Sequence, residues 1–500
     1  MTETMSANPP HLGEYDVAVI GGGVIGAIIA RELSKMEGRF ALLEKNAFPG
    51  FGISKAGLSQ IHLPDFCPPG SLKGRLCKDA PERFKALSKE LDTEYREIDE
   101  LWLALNPSQM ENLKAARSRG EANGATGYEI IGPEKIRELE PHVTSEAVAA
   151  LYAKGVGVIY TPEWTFAFFE NAVQNGVQAH METTVTGIEK RDDGSFLIIT
   201  SKGALSANHI VNAAGLYADE IAGMVGDHDI RLALRKGTML IFDKSASHLV
   251  RNMLFGTFSE KQSQDIAPTS HGNLILGIHY VQPAHKEDTR VPPEGVRETL
   301  KLGKQLIPAL SEKDIITSFS GILATPAMTR DGDFYIAPSE SASGMIHVMA
   351  GAPGLSASPG IADLVIKMLL EAGLDLPENR TFQKKRSGWG RFEGATPTEK
   401  TEMIAENSKY GHILCRCEHV TEAEIVAAVN KGANTLDAVK HLTRAGMGRC
   451  QGGFCGISLL KHISEQMGIL PTEVTKKGEG SEQITGLTRA VDSIPGSRLS

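Results

Sequence analysis

Tyr15-Asp-Val-Ala-Val-Ile-Gly-Gly-Gly-Val-Ile-Gly-Ala-Ile-Ile-Ala-Arg-Glu-Leu33, with the Phe40-Ala-Leu-Leu-Glu44 that follows it, decides how this chain is read. Residues up to Ile20 are apolar and β-branched, the pattern of a buried strand. Gly21, Gly23 and Gly26 lead into apolar residues at helical spacing, and a second strand ends on Glu44, eighteen positions after Gly26. Three glycines at that spacing are a weak signal alone. Strand, glycine turn, helix, strand and acid together form one βαβ unit with the layout of a dinucleotide fingerprint. Gly21 would permit the tight turn, Gly23 would let the backbone approach a pyrophosphate, and Gly26 would let helix and strand pack closely. The phosphates would rest on the helix N-terminus, and Glu44 would accept hydrogen bonds from ribose hydroxyls.

Composition sets the limits around this unit. At 500 residues the chain has room for two to four domains, and 41% hydrophobic with 23% charged residues is globular composition. Lys+Arg 52 against Asp+Glu 61 leaves a net charge of −9, with no basic excess to neutralise a nucleic-acid backbone. Nucleic acid is therefore not an expected partner. The start, Met1 to Asp16, lacks Lys and Arg, so it does not read as a signal peptide, and the run Val17 to Ala30 is too short to span a bilayer. The expected location is the cytoplasm.

Outward from the first unit, helices are expected at Ala80 to Leu91, Pro107 to Ala122, Glu134 to Glu140, Glu163 to Asn175, near Val296 to Gln305 and near Pro359 to Ala372. Strands are expected at Val185 to Ile188, Ser195 to Thr200, His209 to Ala213, Gly237 to Phe242, Asn273 to Tyr280 and Met345 to Ala350. Pro377 to Lys409 reads as a polar linker, and the last thirty residues as a tail or surface wrap. Two distant turns, Asn212-Ala-Ala-Gly215 and Gly351-x-x-Gly354, also bring backbone close to something bulky. A ligand long enough to touch three such turns fits FAD better than NAD.

Cys415-x-Cys417, thirty-two residues, then Cys450-x4-Cys455 is a four-thiolate set. Four ligands suit a [2Fe–2S] cluster, two per iron. Zinc ranks second, because its pairs are usually spaced Cys-x2–4-Cys, and unliganded thiols rank third. Thr421-x-x-Glu424 and Thr435 read as caps of short helices that would gather the cysteines; glycines 446, 448, 452 and 453 would leave backbone N–H groups near sulfur, and Arg416, Arg444 and Arg449 could offset negative charge.

Tyr15 to Glu44, Val211-Asn-Ala-Ala-Gly-Leu-Tyr-Ala-Asp219, Gly272-Asn-Leu-Ile-Leu-Gly277, Ser318-Phe-Ser-Gly321 and Ala350-Gly-Ala-Pro-Gly-Leu-Ser-Ala-Ser-Pro359 resemble FAD-dependent dehydrogenases of the D-amino-acid-oxidase fold, and within them the short anaerobic glycerol-3-phosphate dehydrogenase large subunits. Arg444-Ala-Gly-Met-Gly-Arg-Cys-Gln-Gly-Gly-Phe-Cys455 resembles the bacterioferritin-associated-ferredoxin-like [2Fe–2S] domain appended to those enzymes. The resemblance implies an α/β chain: a Rossmann-like FAD-binding domain (about 14–80, 145–225 and 320–376) interleaved with an α+β substrate domain dominated by an antiparallel sheet (about 81–144 and 226–319). A linker over 377–409, a helical cluster domain over 410–470 and a tail over 471–500 would follow. FAD contacts are expected at Gly21, Gly23, Gly26, Glu44, Lys45, Ser54, Val185, Ala214, Gly215, Gly351, Gly354 and Leu355, and iron ligation at Cys415, Cys417, Cys450 and Cys455.

A flavin and a one-electron cluster in one chain imply a dehydrogenase of a small hydroxylated substrate, of glycerol-3-phosphate or 2-hydroxy-acid type, feeding an electron-accepting partner subunit and a quinone or other carrier. Peripheral membrane contact would come through such a partner. An amine or amino-acid dehydrogenase of the same fold, or a flavin reductase serving an iron–sulfur carrier or docking module, are the alternative readings. His62 is the first candidate base; it ends the segment Ser54–Ile61, which in the family runs beside the flavin and closes with His-Ala-Gly, where this chain has His62-Leu-Pro. His279 and Arg235 are further candidates on the substrate-domain sheet. The family segment Ser-Phe-Ala-Gly-Leu-Arg reads Ser318-Phe-Ser-Gly-Ile-Leu323 here, so the arginine that would grip a substrate anion is missing. The expected substrate is therefore another 2-hydroxy acid, polyol or amine, unless Arg330 or Arg235 supplies the charge.

Overall fold

The computed structural model describes residues 10–259, 262–386, 388, 390–484 and 486. It divides into two compact units, residues 1–45 with 49–388 and residues 46–48 with 389–500. The first unit holds two sheets. In one, His11–Ile20 is central and pairs in parallel with Phe40–Leu43 on one side and Gly203–Asn212 on the other. Gln178–His180 and Met345–Met349 extend the parallel array, and Tyr335–Pro338 closes an edge antiparallel. Both faces of the central strand are buried, as parallel sheets require. Val17 and Val19 face a core that contains Ile28, Phe168 and Ile361, from helices Val24–Leu33, Thr161–Gln174 and Gly354–Glu371. Ala18 and Ile20 face the opposite core with Ile198, Leu205 and Ile210.

Burial extends to a charge. Arg31, 1% exposed, bonds Asn171 at 2.9 Å, Glu32 at 2.9 Å and Glu90 at 2.7 Å. Donors spread over three partners keep a buried guanidinium tolerable, and Lys35 and Lys384 pair with Glu32 and Glu90 as well.

The second sheet has nine strands in the order Ile315–Pro326, Leu232–Phe242, Leu274–Val281, Gln262–Pro268, Met253–Ser259, Tyr95–Ala104, Ala149–Ile159 and Gln60–Ile61, with Glu129–Ile131 beside Ala149–Ile159. All pairs are antiparallel except Met253–Ser259 with Tyr95–Ala104. One face packs Leu101, Leu240, Leu254, Leu274 and Leu276 with Leu306 of helix Pro293–Leu306. The other face turns to the segment around residues 53–62: a Cβ on Gly321 would lie 2.2 Å from the Ala56 carbonyl oxygen, and one on Gly277 would lie 3.2 Å from Leu58 Cδ2.

The mixed α/β architecture agrees with expectation, but several boundaries move. Ala149–Ile159 and Ile315–Pro326 belong to the antiparallel sheet, where the sequence reading gave residues 145–225 and 320–376 to the flavin-binding part. The helix expected from Pro359 starts at Gly354, with Pro359 buried inside its second turn. The expected linker is largely structured: Asn379 Nδ2 donates to the Ser34 carbonyl, Gln383 N to Asn175 Oδ1, and Pro397–Glu406 is a helix with a Thr396/Glu399 capping box. Side-chain chemistry outweighed polarity there. Residues 485 and 487–500 of the expected tail lie outside the described residues.

The second unit is a short hairpin, Ile413–Cys415 with Val420–Thr421, followed by helices Glu422–Asn430, Leu436–Thr443 and Gly456–Met467. Thr421 N donates to Glu424 Oε2 at 2.8 Å and Glu424 N to Thr421 Oγ1 at 3.4 Å, the reciprocal cap its spacing predicted.

Candidate functional site

The glycine turn is a cradle without room for side chains. Gly21 has φ +110°, and its N–H donates to the Leu43 carbonyl at 2.8 Å. A Cβ on Gly21 would sit 2.4 Å from the Ala213 carbonyl oxygen, and one on Gly26 1.9 Å from that of Gly21. Gly22 N–H donates to Glu44 Oε2 at 2.7 Å, which fixes the acid at the end of its strand. Gly23 opens helix Val24–Leu33 with no side-chain cap and no acid in the first turn, leaving its positive end suited to an anion. Ser54 Oγ accepts from Val24 N at 2.9 Å, which ties the segment after residue 50 to this helix end.

The other predicted turns meet the same cradle. Ala213 N donates to the Ile20 carbonyl, Ala214 N to Asn212 Oδ1, and Gly215 adopts φ +58°. Gly354 N donates to the Gly351 carbonyl at 2.7 Å, and a Cβ on Gly354 would come 3.7 Å from Ile25 Cδ1. Leu355 packs on the core shared with Val24 and Ala213. Val185 is buried in the core with Ile20 and Leu43, and Lys45 lies over the Tyr217 ring at 3.6 Å with Glu287 at 3.5 Å. Three separate stretches thus converge at the carboxyl ends of the parallel strands, the place where such sheets bind nucleotides.

His62 follows the Gln60–Ile61 strand and is half-buried, its side chain 17% exposed. Its backbone N–H donates to Ser356 Oγ at 2.9 Å, and its ring packs on Phe66 and Phe255, with centroids at 5.2 Å and 5.8 Å. Burial pushes the imidazole down to about 4, with Asp65 acting in the opposite sense. Nδ1 has no hydrogen-bond partner and lies 4.0 Å from Glu100 Oε2.

Arg235 stands directly opposite Leu323 on neighbouring antiparallel strands, two residues from the Gly237–Gly321 pair. Alternation puts both on the face that Gly321 turns to Ala56. The Arg235 guanidinium lies 4.8 Å over Tyr280. Burial pushes Tyr280 up to about 12, with Asp265 adding to the rise and Arg235 opposing it; burial alone raises Asp265 to about 7. His279 pairs with Thr238, whose hydroxyl points toward Gly295 on the helix-covered face, so the structure does not bring it to His62. Lys236 is held by Asp288 at 2.9 Å, and the Arg330 side chain is 96% exposed. Sequence reading missed Asp65, Glu100, Asp265 and Tyr280. The available signal was Glu100 alternating with apolar residues on a strand buried on both faces.

In the second unit the sulfurs meet two by two: Cys415 with Cys455, both buried, and Cys417 with the exposed Cys450. Two thiol pairs suit two irons sharing four thiolates. The Cys455 thiol, with backbone N–H donors from Gly446, Glu418 and Cys417, brings Cys415 down to about 6. A Cβ on Gly448 would lie 2.2 Å from Cys417 Cβ. Arg444 Nε donates to Glu418 Oε2 at 3.0 Å and Arg416 covers the exposed Phe454 ring at 4.5 Å, so these two arginines have local partners.

Comparison with known proteins agrees with both sites. A family model described as FAD dependent oxidoreductase matches residues 16–368, and one described as BFD-like [2Fe-2S] binding domain matches residues 413–465. A glycerol 3-phosphate dehydrogenase of Caloramator mitchellensis is 37% identical across 95% of this chain and 99% of its own length. A glycerol 3-phosphate oxidase of Mycoplasma pneumoniae is 27% identical, covering 71% of this chain and 94% of its own length. The solved structure of L-alpha-glycerophosphate oxidase from Mycoplasma pneumoniae with FAD bound superposes with a TM-score of 0.70 at 26% identity, covering 75% of this chain and 100% of that one.

Proposed function

This chain belongs to the FAD-dependent oxidoreductase family and carries a BFD-like [2Fe–2S] domain, and on that footing we propose that it dehydrogenates a small anionic alcohol of glycerol 3-phosphate type. The observation that carries the substrate reading is the Arg235–Leu323 pair. Where the family's arginine is missing, the adjacent strand offers one on the same face at the same level. Directly paired positions place their Cβ atoms about 5 Å apart, well within the reach of an arginine side chain. A phosphate or carboxylate held there would direct the substrate's hydroxyl carbon along the sheet face toward His62.

Gly21, Gly23, Gly26, Glu44, Ser54, Ala214, Gly215, Gly351 and Gly354 would hold FAD, with Lys45, Val185 and Leu355 at its margins, and the four C-terminal cysteines would hold the cluster. When bound, FAD supplies the two-electron acceptor and the cluster a one-electron relay. The protein's own part is to position the alcohol with Arg235, take its proton on His62 and keep water from a pocket walled by Phe66 and Phe255. Among the described residues no helix is long and apolar enough to cross a membrane. An electron-accepting partner subunit and a cytoplasmic setting complete the proposal, and the exposed Cys450 and Phe454 support an electron exit on that side of the domain.

Anaerobic mixing with glycerol 3-phosphate tests it. Bleaching of the flavin absorbance followed by the EPR signal of a reduced cluster is expected. No bleaching by glycerol 3-phosphate alongside bleaching by an amino acid would replace the substrate reading, and bleaching without the EPR signal would remove the relay.

A further inference from the structure

Beside His62 lies a group of buried polar atoms that the site's ordinary chemistry leaves unused. Asp65 and Glu100 are 0% and 1% exposed, and their side chains lie within hydrogen-bonding reach of each other. Both Asp65 oxygens, Glu100 Oε2, His62 Nδ1 and the Tyr128 hydroxyl are buried without hydrogen-bond partners. Glu100 Oε1 accepts from Trp102 Nε1 at 3.0 Å, and Trp102 stacks on Phe255 at 5.0 Å, so the carboxyl is held in place from the sheet side. Asp65 is fixed through its backbone: Arg119 Nε donates to its carbonyl at 2.8 Å, while Asn123 donates to the carbonyls of Pro64 and Cys67. The titratable and charged groups facing this corner are Asp65 and Cys67 on the loop, Glu100, Arg119, Glu121, Tyr128 and Asp265.

Two carboxylates in contact, away from water, cannot both keep their charge. One proton turns the contact into a hydrogen bond in which one acid donates and the other accepts. Glu100 already accepts from Trp102 and has its second oxygen nearest to His62 Nδ1, so it is the better acceptor. Asp65, which lacks any side-chain donor, is the better place for the proton.

We propose that Asp65 stays protonated and donates to an ionised Glu100, and that Glu100 in turn accepts from His62 Nδ1–H, leaving Nε2 as the base that takes the substrate's hydroxyl proton. Glu100 and Asp65 are positioning residues in this scheme, acting through His62. The 4.0 Å gap between Nδ1 and Oε2 closes to a hydrogen bond with a movement of about 1 Å. When the proton passes from the substrate oxygen to Nε2, the imidazole becomes a cation and the Glu100 carboxylate matches its charge. Burial alone makes His62 a poor base; an adjacent anion restores its basicity without exposing the ring to water. The proposal rests on His62 being the base, and the test separates the two.

Three isosteric variants, H62N, E100Q and D65N, are compared by anaerobic flavin reduction across pH, with flavin content and melting temperature as controls. H62N is expected to slow reduction at least 100-fold. E100Q removes the anion and should slow reduction 10- to 1,000-fold, lower the apparent pKa of the base limb of kcat/KM by at least one unit, and leave KM within threefold. D65N keeps a donor to Glu100 but removes the acid, so the infrared band of a buried protonated carboxyl should disappear from the difference spectrum while flavin content and melting temperature are retained. A wild-type rate in H62N removes the base reading. An inactive H62N with an E100Q pH profile that superimposes on wild type overturns the positioning role alone, as does a D65N spectrum that keeps the band.

Discussion

Replacing Arg235 by leucine makes the sharpest test of how this chain grips its substrate. The side chain is exposed at the strand end, opposite Leu323, and rests on Tyr280 at 4.8 Å. A charge-assisted hydrogen bond to an anion contributes about 1.5–3 kcal/mol, and exposure places this one toward the lower end. At about 1.4 kcal/mol per factor of ten, R235L should lose roughly 10- to 30-fold in kcat/KM for glycerol 3-phosphate. The loss should sit mainly in KM, because the phosphate is held equally before and during the reaction. R235K keeps charge without the planar fork and should fall between the two. Moving the arginine across the pair, R235L with L323R, should recover most of the loss, since both positions share one face. Steady-state kinetics with an artificial electron acceptor reads all three. A KM for R235L within twofold of wild type, or a swap no better than R235L alone, would refute the reasoning.

Other outcomes follow from the same structure. G26A pushes a Cβ to 1.9 Å from the Gly21 carbonyl oxygen, so the helix must move by more than 1 Å; purified protein should retain under a tenth of the wild-type flavin, measured by absorbance. C417S and C415S should each abolish the cluster's visible absorbance and EPR signal while leaving flavin reduction by substrate within threefold; loss of flavin reduction in both would argue against a separate cluster unit. Asp265 has a folded pKa raised to about 7, so its stabilising protonated form is complete below the unfolded value near 4 and is lost as pH rises through 7. D265N should therefore gain up to ~4 kcal/mol on wild type between pH 4 and pH 8, read by denaturant titration at each pH, and a pH-independent difference would contradict a buried acid. R31M should destabilise by about 1–3 kcal/mol, because the buried Asn171 Oδ1 loses its donor while Lys35 and Lys384 still pair Glu32 and Glu90, and a melting temperature at or above that of wild type would contradict it.

The parts of the site legible in the sequence are those whose chemistry is local. Gly21 to Glu44 carry their turn, helix and acid within one βαβ unit, and Cys415 to Cys455 carry their spacing. Where the structure departed from the reading, the cause was long-range. Ala149–Ile159 is apolar enough for either sheet, and only its pairing with Tyr95–Ala104 decides. The helix expected near Pro359 begins more than a turn earlier, at Gly354, which lies against Ile25. The group around His62 joins Asp65, Glu100 and Asp265 from three separate segments, and no periodicity links them. Arg235 was visible as a residue, but its partnership with Leu323 is a matter of register, which the sequence does not print.

The order in which the two sheets take up strands has a consequence for the newborn chain. The chain crosses from one sheet to the other four times between His11 and Met349. Phe196–Thr200 covers the first half of the Gly203–Asn212 strand, but Ile210 to Asn212 keep an open side until Met345–Met349 arrives. A ribosome must therefore release about two thirds of the protein before the nucleotide cradle can close, whereas the four cysteines lie together within residues 415–455, translated afterwards. Flavin capture therefore waits for the last strand. Truncations ending before residue 345 should expose that open edge to aggregation instead of yielding a smaller working enzyme.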